Sequence, residues 1–208
     1  MKSSLAVLGF FTAGCWLGTR PELPEFLRGG LLPLAALYLL MLEVGVSLGS
    51  DAKIKEILRS VKLRWLLLPA GTAAGTLLGA LAASVFITRW SWSECLAVGS
   101  GFGYYSLSSI LIARLKEPVL GAQAAGALAT VALLSNMIRE MFTLLFAPLL
   151  VRFFGKFAPV AAGGVTSMDA TLPVIARYSG KDMTFLAIVH GVTLDFSVPF
   201  LVAFFCSL

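Results

Sequence analysis

Charge is what this sequence has least of. Only 13% of its 208 residues are charged, against 58% that are apolar; a soluble domain has about 25% charged and about 45–50% apolar residues. So few charges cannot cover a globule of this size, which excludes a soluble enzyme, a disordered chain and a nucleic-acid binder. Histidine occurs once, as His190. Cysteine occurs three times, as Cys15, Cys95 and Cys206, each in or beside an apolar run and none in a C-x-x-C pair. A secreted disulfide scaffold is therefore excluded, and the cysteines read as small apolar packing residues. No metal or cofactor is expected. The net charge of +5 is spread through short loops, as the positive-inside bias of a membrane protein would spread it.

What is present is apolar sequence in long runs. A helical span needs about 20 residues to cross ~30 Å of hydrocarbon. Breakers and charges divide the chain into seven candidate spans at 4–19, 31–50, 65–88, 95–114, 120–152, 158–177 and 183–206. The first resembles a signal peptide, but Arg20-Pro21-Glu22 follows in place of a small-residue cleavage site, so it reads as a retained span. The one strongly polar loop runs from Asp51 to Arg64. The fifth run exceeds what a bilayer requires and must tilt, kink at Pro148 or protrude, unless it is two helices. The expected fold is an all-α polytopic membrane protein forming a single transmembrane domain, 1–208. Residues 1–64 hold two helices and a charged loop, and 65–208 form the core.

Seven crossings place the termini on opposite sides. The side of the N-terminus then carries Lys2, Lys53, Lys55, Arg59, Lys62, Arg64, Arg114, Lys116, Arg177 and Lys181; the other carries Arg20, Arg28, Arg89, Arg152 and Lys156. The excess puts the N-terminus in the cytoplasm and the C-terminus outside.

Polar groups inside apolar runs carry the functional signal, because ionisable residues at membrane depth are costly. In the fifth run Asn136, Glu140 and Thr143 fall on one helical face, with Ser135 and Arg139 on the next. Such a stripe must line a cavity or a polar partner. Arg139 reads either as a structural counter-ion or as a functional cation, and Glu140 as a contact for substrate or a coupling proton. The fourth run contains Gly99 to Ser109 (GSGFGYYSLSS), with Gly101 and Gly103 spaced two apart and Ser106 following; the sixth contains Gly163 to Pro173 (GGVTSMDATLP). Closely spaced glycines disfavour helix, so both stretches read as unwound segments near 99–109 and 163–173. Two interrupted spans are a signature of discontinuous transporter helices, although small residues for close helix packing explain them too. Thr166 or Ser167 is expected to N-cap a half-helix with Asp169 in its first turn. In the last run His190, Thr193 and Ser197 share a face, while Asp195 lies on another and could meet a cation such as Arg139. His190 is either a ligand or a satisfied interhelical hydrogen-bonder. Glu43 stands alone in the second run.

Gly99 to Ser109, Arg139-Glu140, Gly163 to Pro173 and His190-Gly191, in this order and spacing, resemble the lysine exporter LysO family. The resemblance is strongest from about residue 92 onward. It implies export of L-lysine and its toxic analogues across the bacterial inner membrane, coupled to an ion gradient, with protons the expected ion, and without ATP. It further implies inverted repeats with two discontinuous helices crossing near the midplane, and places the functional acid of the Arg-Glu pair at Glu140. Members usually have a preceding block of about three spans. A small membrane-protein subunit supplying those helices, or a homo-oligomer, is therefore expected as partner. A lysine site needs donors for one carboxylate and acceptors for two ammonium groups. Glu140, Asp169 and Asp195 suit the ammonium groups, and segments near Gly101 and Thr166 suit the carboxylate. The alternatives are an exporter of another small amino acid or organic ion, a channel, and an intramembrane hydrolase using Ser100 and His190. The last is disfavoured because Val98 stands where a G-x-S-G site needs glycine.

Overall fold

The structure is a computed structural model. It describes residues 63–208, and Ala13, Trp16, Ala35 and Leu39 within helices. The expected spans 4–19 and 31–50, Cys15 and Glu43 lie outside the described residues. The chain divides into two compact units, Met1–Ser50 and Asp51–Leu208, and the description below concerns the second.

Residues 63–208 are helical without strands, in keeping with an all-α membrane protein. A 3-10 turn, Leu63–Leu66, leads into α1 (Leu67–Ser84). Then come α2 (Trp92–Gly99), α3 (Tyr105–Leu120) and α4 (Ala122–Phe154). α5 (Ala158–Gly163), a second 3-10 turn (Gly164–Met168), α6 (Leu172–Tyr178) and α7 (Met183–Ser207) complete it. The start of α2 is written in Ser91-Trp92-Ser93-Glu94. The Ser91 hydroxyl accepts from the Glu94 N–H at 3.3 Å, and the Glu94 carboxylate accepts from the Ser91 N–H at 2.7 Å, a reciprocal capping box. Between α3 and α4 stands Gly121 alone, at φ 79°. That left-handed conformation is nearly free for glycine, and it lets two long helices fold back on each other with a one-residue link. The run at 120–152 is one helix of 33 residues, continuous through Pro148.

The distribution of polarity is that of a membrane protein. Leu67, Phe86, Phe154 and Phe200 are exposed, whereas Ser100, Ser108, Asn136, Thr143, Thr171 and His190 are buried. Among the described helices α1 and α7 are long and apolar enough to cross a bilayer by length and composition.

Two contacts mark one end of this unit. The Trp65 ring meets Phe185, near the start of α7, edge-on with centroids 5.0 Å apart. Lys156, just past α4, reaches Asp182, just before α7, at 4.0 Å. The start of α1, the end of α4 and the start of α7 thus share what is termed here the basal end. At about 1.5 Å per residue, α1 carries the chain to the opposite, apical end and α4 brings it back. α2 begins shortly after α1 and α3 ends one residue before α4, so both hang from the apical end. By the same logic α5 starts and α6 ends at the basal end, where Val160 and Ile175 pack with Ala187 of α7.

The runs at 95–114 and 158–177 are therefore helical hairpins. Each doubles back at its glycine-rich stretch, which corrects the expectation that each crosses from one side to the other. The turns rest on backbone that helices do not use, with Phe102 at φ 45°, Gly103 at 102° and Gly164 at 62°. Lys156 and Lys181, assigned above to opposite sides, flank the same end.

Candidate functional site

The two hairpin tips meet. The Val165 N–H of the second donates to the Phe102 carbonyl of the first at 2.8 Å. The approach requires glycine. A Cβ on Gly164 would collide with the Phe102 carbonyl oxygen and come within 3.2 Å of the Arg139 guanidinium, and one on Gly103 would lie 3.1 Å from the Gly163 carbonyl oxygen.

α4 runs past this junction and presents Asn136, Glu140 and Thr143, all buried on one face. Asn136 holds the first tip. Its side-chain oxygen accepts from the Gly103 N–H at 2.7 Å, and its amide nitrogen donates to the Ala132 carbonyl at 2.9 Å. Longer contacts of 3.4 Å reach the Val98 carbonyl and the Ser108 hydroxyl. Gly101 packs so close that a Cβ there would overlap the Asn136 amide. Ser106 lies half-buried in the first turn of α3.

Arg139 holds the second tip. Its Nε donates to the Ala162 carbonyl at 2.8 Å and Nη2 to the Ala161 carbonyl at 2.9 Å, while Nη1 reaches Thr76 of α1 at 3.2 Å. These carbonyls belong to the last turn of α5, which has no further helical N–H to bond them. A cation there satisfies them and complements the partial negative charge of a helix C-terminus. The partners of Arg139 are thus backbone carbonyls and a threonine. No ion pair joins it to Asp195 among the described residues.

Within the second tip, the Thr166 hydroxyl donates to the Gly163 carbonyl and the Thr171 hydroxyl to the Thr166 carbonyl, both at 2.9 Å. The N-cap of α6 is Thr171, with no side-chain cap. Thr166 and Ser167 therefore lie inside a 3-10 turn and do not cap the half-helix. Asp169 precedes α6 rather than entering its first turn; its carboxylate accepts from the adjacent Ala170 N–H and is exposed.

His190 is fully buried and satisfied on both sides. The Ser167 hydroxyl donates to the Ala187 carbonyl at 2.8 Å. Its proton is then used, so the Nδ1–H of His190 donates to Ser167 across 3.1 Å. In the neutral ring this leaves Nε2 to accept from the Thr72 hydroxyl at 2.9 Å. The imidazole ties α1, the second tip and α7 together.

The carboxyl groups gather beside the junction. Glu140 and Asp195 are 5% and 3% exposed. Tyr105 lies close enough to Glu140 and Asp169 to feel both charges, and Asp195 feels Asp169. Glu140 is engaged within the fold, whereas Oδ1 of Asp195 is buried without a hydrogen-bond partner. Tyr105, Thr171, Thr72 and Thr76 belong to the site's framework and were not singled out by sequence. The threonine pair had a signal: hydroxyls at i and i+4 mark a polar stripe on an otherwise apolar helix.

Comparison with known proteins agrees with this arrangement of motifs. The profile of the lysine exporter LysO family matches residues 8–206. Lysine exporter LysO of Escherichia coli (strain K12) is 35% identical over 172 residues, covering 82% of this chain and 54% of that protein. A Haemophilus influenzae protein also named for lysine export is 29% identical over 175 residues, 84% of each chain. The chain thus spans about half the length of the Escherichia coli relative and most of the length of the other. No solved structure matches. A family profile that covers nearly the whole sequence, with the glycine-rich tips and the Arg-Glu pair inside it, settles the kinship: the chain belongs to the lysine exporter LysO family.

Proposed function

We propose that this chain exports L-lysine from the bacterial cytoplasm as a secondary active transporter of the inner membrane. One observation carries the reading. Two hairpins from opposite ends of the unit meet tip to tip beside Glu140, Asp169 and Asp195. In a membrane, hairpins of this kind would enter from opposite faces, and their junction would be the one level reached from both. Irregular backbone at that depth is tolerated where it lines a polar cavity, and transporters place substrate at such breaks.

The groups present suit lysine. The start of α3 has no side-chain cap, so N–H groups around Ser106 are donors for a carboxylate, next to the tip backbone at Gly101 and Gly103. Glu140 and Asp169 are acceptors for the ammonium groups. Asn136, Thr166, Ser167 and His190 hold the tips in place, and Arg139 fixes the second. Export then proceeds by opening one hairpin at a time, against a proton gradient and without a nucleotide. The basal end is assigned to the cytoplasm, because Arg64, Arg152, Lys156, Arg177 and Lys181 lie there against Arg89, Arg114 and Lys116 at the apical end. This orientation also puts the N-terminus in the cytoplasm and the C-terminus outside.

A small membrane subunit or a second copy of the chain is proposed as partner. Co-purification from the native membrane tests that part. The test of activity is lysine export and resistance to a toxic lysine analogue in a host lacking its own exporter. Glu140→Gln should abolish both while the protein remains in the membrane. Unimpaired export by that variant would remove Glu140 from the site.

A further inference from the structure

Asp195 stands apart from the other acids. It sits in the middle of α7 with 3% exposure, and its Oδ1 has no donor among the described residues. A buried carboxylate oxygen left bare is costly, so it requires a proton or a cation. A metal cation would need several further oxygen or nitrogen ligands. Among the described residues no group of three acids, histidines or cysteines is placed to hold one. The remaining occupants are a proton and an organic ammonium.

Among the described residues the charges that act near it are few. From the second tip Asp169 acts on Asp195, and Asp169 and Glu140 both act electrostatically on Tyr105. Arg139 of α4 reaches electrostatically as far as His190, more than a turn toward the basal end. Glu94 of α2 and Lys116 of α3 act at Cys206, about three turns toward the apical end. Asp195 therefore answers chiefly to Asp169, an exposed acid on a hairpin tip.

We propose that Asp195 is the coupling-proton site and that it senses substrate through Asp169. This rests on the lysine reading above. Without substrate, Asp195 keeps its proton, because its own carboxyl is buried with Oδ1 bare and the negative Asp169 opposes a second charge. When a lysine ammonium docks at Asp169, the repulsion is cancelled. The Asp195 O–H bond breaks and the proton leaves to cytoplasmic water. After lysine departs outside, Asp195 takes a proton from the external medium and the O–H bond forms again. The pair carries one net negative charge when it holds the proton alone. It carries the same charge, substrate included, when it holds the lysine cation alone. One proton enters for each lysine cation that leaves, so the exchange moves no net charge.

The experiment uses everted vesicles from a host lacking its own lysine exporter and expressing the full chain. The unsubstituted protein should accumulate radiolabelled lysine when the lumen is acid. Collapsing the membrane potential with valinomycin and potassium should leave that accumulation unchanged. Asp195→Asn, which mimics the protonated acid, should reduce proton-driven accumulation by at least about tenfold while keeping lysine–lysine exchange within about twofold. Retained exchange also shows that the variant is folded. Continued proton-driven accumulation by Asp195→Asn would overturn the assignment. Loss of exchange together with accumulation, in a variant that reaches the membrane at the wild-type level and melts in detergent at the wild-type temperature, would place Asp195 in the substrate site and overturn it equally, and a potential-dependent wild type would refute the one-for-one exchange. Failure of the unsubstituted chain to exchange lysine would instead overturn the lysine reading itself.

Discussion

The two hairpins look alike in sequence and are held in different ways. The first tip hangs on one side chain: Asn136 accepts the Gly103 N–H and packs against Gly101. The second is bound at many points. Arg139 satisfies the last carbonyls of α5, Thr166 and Thr171 brace the turn, and Ser167 fastens it to α7 and His190. A Cβ on Gly191 of α7 would fall 2.8 Å from the Val165 carbonyl oxygen, so α7 also seats directly on the tip. An element held by one amide opens at smaller cost than one held by a guanidinium and three hydroxyls. The first hairpin is accordingly the gate expected to open more readily, and the second, which carries Asp169, the floor expected to open less readily.

The largest effect should come from striking both tips at once. Gly164→Ala puts a methyl group onto the Phe102 carbonyl at a positive φ, where neither backbone can yield cheaply. Transport should fall by more than about tenfold, and Val165 should lose amide-exchange protection. Next is the floor. Arg139→Ala leaves the Ala161 and Ala162 carbonyls unsatisfied, at about 1–3 kcal/mol each, and should lower thermal stability in detergent by several degrees. Arg139→Lys cannot bridge both carbonyls and Thr76, so it should recover only part of that loss.

Asn136→Ala should be milder in stability and larger in dynamics. It orphans one N–H, costing about 1–3 kcal/mol, and should raise exchange at residues 100–104 without affecting 163–168. Equal loosening of both tips would erase the distinction between gate and floor. The smallest change is Thr76→Val, which removes one 3.2 Å contact from Arg139. It should cost no more than about 1 kcal/mol and leave transport nearly intact.

How much of this could be read from the sequence depends on what composition records. The stretches 99–109 and 163–173 stand out in sequence because clustered glycine disfavours helix; the α-helix is interrupted over 100–104 and 164–171 only, and Tyr105 to Ser109 is helical. The stripe of Asn136, Glu140 and Thr143 was legible because helical spacing puts them on one face. The direction of the chain after each break was not. Turning both runs into hairpins moves Arg114 and Lys116 to one side and Arg152 and Lys156 to the other, and the basic residues still divide ten against five. The positive-inside count is blind to that exchange. The partners of Arg139 and His190 were equally hidden, since backbone carbonyls and single threonines leave no charge pattern to find.

That blindness makes the hairpins the point to test first. Single cysteines at exposed positions 117, 156 and 181, in a background without Cys15, Cys95 and Cys206, can be probed with an impermeant thiol reagent on intact cells and everted vesicles. Glu117→Cys should react from one face of the membrane, and Lys156→Cys and Lys181→Cys together from the other. Glu117→Cys and Lys181→Cys on one face with Lys156→Cys opposite is the pattern of two helices that cross, and it would contradict the paired hairpins and the site built between them.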